Sequence, residues 1–414
     1  MTPTDSIRPV AASRILIFFS DIGEGHAATA RALAAELSLD APETDVVLAD
    51  GFASMGRLLR FLQRDIYHAQ LLRIPWLYGL WYGLFASSRV LRAGGASIMC
   101  ALGCRPLRRL VLAHAPDVVV STDPRVTVAL GHLRRRGKIG TPVCATLTDL
   151  GGLEFWVHRG IDVHLATHPR LVPEVERLAG RGSARMARPP VDPRFYAMLE
   201  KTEARRLLGL SPKIPVVLLS GGGWGAGDFR GALLAALALP EAHVICLCGH
   251  NQRLKMELET LAPNLGVATS RVSVLGFSEQ MNELLAAADV LIHSTGGVTC
   301  LEAAVRRCPV IVYGAPQGHP RRVARSMAKL NEAMVARSSK ELPYLLQEVM
   351  SGRGVRGEDT QKYPAAGEII LAARPRAHPR RTRLPWRILP GAGDGGEPRD
   401  KADEENGLLL PREA

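Results

Sequence analysis

The sequence predicts an α/β protein made of two doubly wound, Rossmann-like domains facing one cleft, with a disordered C-terminal tail. Three observations carry that expectation. Apolar runs of strand length alternate with helical patterns twice along the chain, the grammar of parallel sheets covered by helices. Each half opens the same way: Arg14 to Ser20 runs into the turn Asp21 to His26, and Pro215 to Leu219 runs into the turn Ser220 to Gly225. Between the halves, Arg188 to Pro193 (RPPVDP) reads as an extended crossing, because its prolines fix φ and remove donors. Residues 1–13 are expected to be disordered, 14–195 to form the first domain and 196–350 the second. Residues 351–373 are expected to hold a returning helix, and 374–414 a disordered tail.

Length and composition allow this. At 414 residues and 47% hydrophobic, the chain can bury two large cores. Seven cysteines, an odd count without framework spacing, read as a reduced cytosolic protein. Cys246 and Cys248 share one face of a strand with no histidine cluster beside them, so no metal site is expected. The opening MTPTDSIRPVAAS is too polar for a signal peptide, and no apolar run approaches the ~18 residues of a spanning helix. A soluble or peripheral protein is the expectation. The net charge of +12 admits nucleic acid, an anionic membrane or a phosphorylated ligand, so its position matters more than its sum.

In chain order, Arg14 to Ser20 (RILIFFS) is a buried strand, and an alanine-rich helix follows from Ala27 to Leu39. Gly23 and Gly25 let the intervening turn pass close to a ligand. His26 sits at the helix start, where the dipole favours a neutral imidazole able to act as a base, or where the ring simply packs. The turn lacks the third glycine of a dinucleotide fingerprint. After a strand at Asp45 to Ala49 the character changes. From Arg57 to Arg109 nine arginines, Arg73 among them, stand against the single acid Asp65. Trp76, Tyr78, Trp81 and Tyr82 are interleaved with them. Interfacial aromatics with arginines suit a membrane surface, stacked single-stranded nucleic acid, or a plain helical subdomain with a basic face.

Strand runs at Pro116 to Ser121 and Val143 to Leu147 each end in a turn with an aspartate, Asp123 and Asp149. In an open parallel sheet such turns face the ligand crevice. Asp123 precedes Pro124 and reads more simply as a helix N-cap. Asp149 is the better candidate base, since Gly151, Gly152 and Trp156 follow it in a loop that can shape a pocket. Val163 to Thr167 reads as the last strand of this half.

The second half offers a glycine loop at Gly221, Gly222 and Gly223, a strand His243 to Cys248 ending in Gly249, and Val272 to Leu275 ending in Gly276 and Phe277. Its central feature is Leu291 to Glu302 (LIHSTGGVTCLE). A strand ends in the small-residue turn Ser294 to Gly297, and a helix starts near Thr299. Glycines there let a phosphate approach the backbone, and the helix start offers free N–H groups and positive dipole. Glu302, one turn in, can accept from two vicinal hydroxyls, as a ribose requires; alternatively it is a solvated glutamate. Beyond the second half, Arg374 to Arg387 carries six arginines around Trp386, either a second membrane contact or a solvated tail.

From Ile15 to about Ser326 these motifs, in this order, resemble the glycosyltransferases that build glycolipids on diacylglycerol. These are the monogalactosyldiacylglycerol synthases and processive diacylglycerol glucosyltransferases. More distantly the chain is similar to the peptidoglycan enzyme that adds N-acetylglucosamine to lipid I. The motifs are GEGH at Gly23 to His26, Thr148-Asp149-Leu150 with Trp156, the triple glycine Gly221 to Gly223, Gly276-Phe277 with Gln280-Met281, and Gly296, Thr299 and Glu302. The resemblance implies a GT-B fold. It places the lipid acceptor and membrane contacts (Gly23, Gly25, Arg73, Trp76, Trp81, Trp156) on the first domain.

A nucleotide sugar, as a UDP-hexose, would lie on the second domain. There Glu302 would hold the ribose, Gly276 and Phe277 the base, and Gly296, Gly297 and Thr299 the diphosphate. Gly221, Gly222, Gly223, Gly249 and Gln317 complete the implied donor site. His26 or Asp149 would deprotonate the acceptor hydroxyl, with no required cofactor or metal. The implied setting is cytoplasmic, peripheral at the inner face of an anionic membrane, with no nucleic-acid partner. Two positions depart from the pattern: a lysine of the galactolipid synthases is Ser294, and their Gly-Gln-Glu becomes Pro316-Gln317-Gly318-His319. The alternatives on this fold are a soluble nucleotide-sugar epimerase and a non-catalytic nucleotide- or lipid-binding protein.

Overall fold

A computed structural model describes residues 13–21, 24–56, 61, 74–266, 268–374 and 387–389. Two parallel sheets organise it. The first contains β1 (Arg14–Phe19), β2 (Asp45–Asp50), β3 (Val118–Ser121), β4 (Val143–Thr146), β5 (Val163–Ala166) and β6 (Ala184–Met186). The second contains β7 (Val216–Ser220), β8 (His243–Leu247), β9 (Val272–Leu275), β10 (Val290–His293), β11 (Val310–Val312) and β12 (Met334–Val335). A last strand, β13 (Arg387–Leu389), joins the first sheet, giving the orders β13-β2-β1-β3-β4-β5-β6 and β12-β11-β10-β7-β8-β9.

Both sheets are buried on two faces, as their near-continuous apolar strands require. Along β1, Ile15 and Ile17 enter one core while Leu16 and Phe18 enter the other, the period-2 consequence of the pleat. In the second sheet Val216 and Leu218 face one core, and Val217 and Leu219 the other. Strand order reverses between β1 and β3 in the first sheet and between β10 and β7 in the second. The paired strands end level, Phe18 beside Ser121 and His293 beside Ser220. Four turns therefore open at two switch points, the place where open α/β sheets bind ligands.

Several expectations need correction. The first half does not end at β5, because β6 adds an edge strand beside it. The helix Ala366–Ala372 packs against the helix and strands of the first domain: Ile370 joins the core under β1, and Gly367 N–H donates to Glu36 Oε1 at 2.6 Å. Within the tail expected to be disordered, Arg387–Leu389 pairs with Val47–Ala49. The exposed ladder edge of β2 takes any extended segment with free donors, and local charge does not forbid it. The rest of the tail, Trp386 included, lies outside the described residues, as do residues 1–12, Gly23 and Arg73. Ser13 is ordered: its carbonyl accepts from Asp45 N–H.

Between β2 and β3 the basic aromatic stretch is helical where it is described, as Pro75–Ser87 and Arg89–His114. Buried Cys100, Cys104, Leu107 and Val111 hold the longer helix to the first domain. No helix among the described residues is long and apolar enough to cross a membrane.

Candidate active site

Three of these turns, those after β1, β7 and β10, enclose a cavity of about 300 Å³ between the domains together with the turn after β4. From the first domain, the helix Glu24–Asp40 contributes Gly25 and His26, and the turn after β4 contributes Asp149. The helix begins at Glu24, three residues earlier than its alanines suggest, so His26 stands inside the first turn. Its Nδ1 lies 2.7 Å from the Thr122 carbonyl. A carbonyl only accepts, so Nδ1 carries the proton of the neutral ring and Nε2 the lone pair. Burial pushes His26 below its ordinary pKa, against the opposing pull of Asp123.

Asp123 lies behind that lone pair, with Oδ2 3.7 Å from His26 Nε2. It is the N-cap of Pro124–Arg135, accepting from the N–H groups of Arg125 and Val126, and it also takes the Ser20 hydroxyl at 2.6 Å. Burial would raise its carboxyl, but the Arg125 guanidinium and then His26 hold it well below the usual carboxylate range. The simple capping expectation for Asp123 therefore describes only part of its surroundings.

Asp149 is more heavily committed than a free base. Its Oδ2 accepts from Trp156 Nε1 at 3.1 Å and lies 3.3 Å from His319 Nε2 of the second domain. Burial works against its charge, yet His319, His26 and the indole N–H together hold its pKa down. Trp156 is 1% exposed, so it belongs to the core beneath the site and not to a membrane surface as the resemblance implied. The physical reason is that its single polar atom has a buried acceptor, while the rest of the ring is apolar.

The second domain supplies the opposite wall. Gly221, Gly222, Gly223 and Gly249 line one side, and Gly276 and Phe277 another. Gly223 is glycine for want of room: a Cβ there would meet Glu24 Cγ across the cleft at 2.5 Å. Phe277 stacks on His250 with ring centroids 4.5 Å apart. Gly296 and Gly297 take φ of 76° and 77°, turning β10 into the helix Val298–Val305. Thr299 and Glu302 face the cavity from that helix. Burial pushes the Glu302 carboxyl up to about 7, with the charge of Asp192 adding to it.

Gln317 does not line the cavity; its side chain lies against Gly79 of the helix Pro75–Ser87. His319, two residues on, takes the cavity position instead. The turn conformation decides this, since Gly318 (φ 89°) swings the chain between them. Ser294 points away as well, its hydroxyl donating to the buried Ala226 carbonyl. Trp76 and Trp81 are 61% and 50% exposed, outside the cavity. Sequence reasoning passed over His319, Glu24 and His250. The ion pair Arg322–Glu154 at 2.6 Å and a contact of His250 Nε2 with Glu24 Oε1 at 3.4 Å also cross the cleft. Only His319, adjoining the altered Gly-Gln-Glu motif, had a signal that could have flagged it. Among the described residues no cluster of three or more His, Cys, Asp or Glu side chains is placed to hold a metal ion.

Comparison with known proteins matches each half of the chain separately. Residues 26–180 match monogalactosyldiacylglycerol (MGDG) synthase, and residues 216–362 match the glycosyltransferase family 28 C-terminal domain. The processive diacylglycerol beta-glucosyltransferase of Bacillus pumilus is 26% identical over 331 residues, 80% of this chain and 84% of that protein. The chloroplastic monogalactosyldiacylglycerol synthase of Spinacia oleracea is 27% identical over 340 residues, 75% of this chain and 61% of that protein. The crystal structure of Acinetobacter baumannii MurG superposes with a TM-score of 0.53 at 15% identity, covering 87% of this chain and 99% of that one, a likeness of fold. Matched by family models in both halves and by a relative along four-fifths of its length, the chain is similar to the monogalactosyldiacylglycerol synthases and processive diacylglycerol glucosyltransferases, and it has the two-domain GT-B fold.

Proposed function

We propose that this protein transfers a hexose from a nucleotide sugar, a UDP-hexose, to a diacylglycerol-type lipid at a membrane surface. The observation that carries the proposal is the composition of the cavity. One wall offers a half-buried neutral imidazole; the other offers a glycine turn, a helix start and a carboxylate. Glu302 accepts from the ribose hydroxyls, Gly276 and Phe277 meet the base, and the N–H groups at Gly297 to Thr299 meet the diphosphate. The glycine loop Gly221 to Gly223, with Gly249, gives the donor room at the backbone.

In the reaction, the acceptor oxygen attacks C1 of the hexose while the bond from C1 to the diphosphate oxygen breaks. His26 Nε2 takes the acceptor proton, and the Asp123 carboxylate stabilises the imidazolium so formed. The departing charge meets the helix start at Val298. Asp149, whose Oδ2 already carries two donors, is a weaker base than His26 and serves to hold His319 at the cavity.

The membrane face in this proposal is the helix pair Pro75–Ser87 and Arg89–His114. Trp76, Leu80, Trp81 and Leu84 are exposed on the first helix, and Arg89, Arg105, Arg108 and Arg109 on the second. Rings that partition into headgroups beside arginines that meet lipid phosphate suit an anionic surface, here the inner face of a cytoplasmic membrane.

The test is release of nucleoside diphosphate from a panel of nucleotide sugars, with and without diacylglycerol in phosphatidylglycerol vesicles. Vesicle-dependent release with a particular donor supports the proposal and names the sugar. Vesicle-independent release supports a soluble acceptor or epimerase-type chemistry and overturns it.

A further inference from the structure

The helix Pro75–Ser87 has two faces with different neighbours. Outward stand Trp76, Leu80 and Leu84, each one turn from the next, with Trp81 beside them. Inward, Tyr78, Gly79 and Tyr82 meet the loop Gln317 to His319 of the second domain. The fit is close. A Cβ on Gly79 would stand 2.7 Å from Gln317 Cβ, and one on Gly318 would stand 2.6 Å from the Tyr78 ring.

Tyr82 joins three parts of the structure. Its ring centroid lies 5.7 Å from that of His319, edge-on, and 5.3 Å from that of Phe155. Its hydroxyl sits over the turn after β4, 3.2 Å from where a Cβ on Gly152 would be. The same tyrosine therefore touches the segment that carries Asp149 and the loop that carries His319, and these two groups meet at 3.3 Å inside the cavity.

We propose that Tyr82 is a positioning residue that couples seating of the tryptophan helix on a lipid surface to the His319–Asp149 pair. The inference rests on the membrane-facing role assigned above to this helix. Lipid burial of the outward tryptophans and leucines favours the seated helix, because apolar surface leaves water. A close-packed interface has no slack, so restraining the outer face of the helix restrains its inner face. The loop beneath is then held with His319 on Asp149. The cavity is completed at the surface where a lipid acceptor is available, while the donor-binding turns of the second domain stay as they are.

The experiment is amide hydrogen exchange of the full chain, followed in the segment 314–322, with and without phosphatidylglycerol vesicles that contain no acceptor. Wild-type protein should exchange about tenfold more slowly there when vesicles are bound. Tyr82→Leu should bind vesicles and lose that protection, and Tyr82→Phe, which keeps the ring contacts, should retain it. Gly79→Ala, whose methyl displaces Gln317 from the other side, should lose it too. A thermal melt checks that each variant is folded. Protection that survives in Tyr82→Leu, or is missing from vesicle-bound wild type, overturns the proposal. Failure of wild type to bind vesicles overturns both this inference and the membrane-facing role beneath it.

A second readout uses turnover with UDP-glucose and dioleoylglycerol in the same vesicles. Tyr82→Leu should lower kcat by about 10- to 100-fold, the scale of a misplaced group, at unchanged affinity for the nucleotide. An equal fall in nucleotide affinity would mark the residue as generally structural and overturn the positioning role. Wild type that shows protection in 314–322 but no transfer from any donor would support the coupling while striking the proposed reaction.

Discussion

Replacing Glu302 by glutamine should remove a pH dependence as well as affinity, and the structure sets the size of both effects. The carboxyl lies at the cavity wall with a pKa raised to about 7 by burial. Two ribose hydroxyls need an acceptor with both oxygens free, so a nucleotide sugar binds the ionised form. The sign follows directly. Below pH 7 the free protein holds a proton that binding must expel, so affinity is full above about pH 8 and falls as pH drops. About one-eleventh of the sites are ionised at pH 6 and ten-elevenths at pH 8, so Kd should rise about tenfold across that interval.

At pH 7 binding should release about half a proton, visible as a heat that changes with buffer ionisation enthalpy. At pH 8, Glu302→Ala should weaken binding by about 1.5–3 kcal/mol, the range for hydrogen bonds to a charged group. Calorimetric titration of an intact nucleotide sugar is the right assay, because its diphosphate diester does not titrate between pH 6 and 8. Glu302→Gln should give a Kd independent of pH. If the tenfold slope persists in that variant, the titrating group lies elsewhere and the ribose assignment is wrong.

Further outcomes follow from neighbouring residues. His26→Ala should cut turnover about 100- to 10,000-fold, the scale of a general base, while donor Kd stays within about twofold; comparable loss of both would mean the ring serves binding. Because the folded pKa of His26 is lowered, its Nε2 stays unprotonated to more acid pH than a free imidazole, so the acid limb of kcat should fall below pH 6.5; a limb above that value would contradict the burial argument. Asp123→Ala removes a helix cap and strands Arg125 beside a buried site, and should lower stability by about 3 kcal/mol in urea unfolding. The double variant Trp76→Ser with Trp81→Ser should weaken vesicle partitioning by about 3 kcal/mol, roughly 100-fold, leaving nucleotide affinity unchanged in the absence of vesicles.

Much of the arrangement is legible in the amino-acid sequence alone. Strand runs such as Arg14 to Ser20 and Pro215 to Leu219 are long enough, and apolar enough on both faces, to be read directly. The glycine turns that follow them announce where backbone must come close to something else. Asp289 shows the limit of such reading: as a residue beside a strand it looks unremarkable, yet it pairs with Lys201 and Arg205 at 2.8 and 2.7 Å. Edge strands are the least legible elements. The short β6, β12 and β13 carry little periodicity of their own and exist because a neighbouring ladder offers donors and acceptors.

By itself, then, the sequence determined two repeated α/β units and their glycine turns, and it marked His26, Asp149 and Glu302 as candidate groups near strand and helix ends. These follow from local rules, since periodicity, turn conformation and helix dipoles act within a few residues. Only the tertiary structure decided which of these groups share a cavity and which partners they keep. It put Asp123 behind His26, committed Asp149 to Trp156 and His319, buried Trp156, and turned Gln317 outward onto Gly79. Apart from Asp149–Trp156, seven residues apart, those contacts join segments about a hundred residues or more apart, and pKa, burial and room for a side chain depend on what lies across the space, which no local pattern encodes.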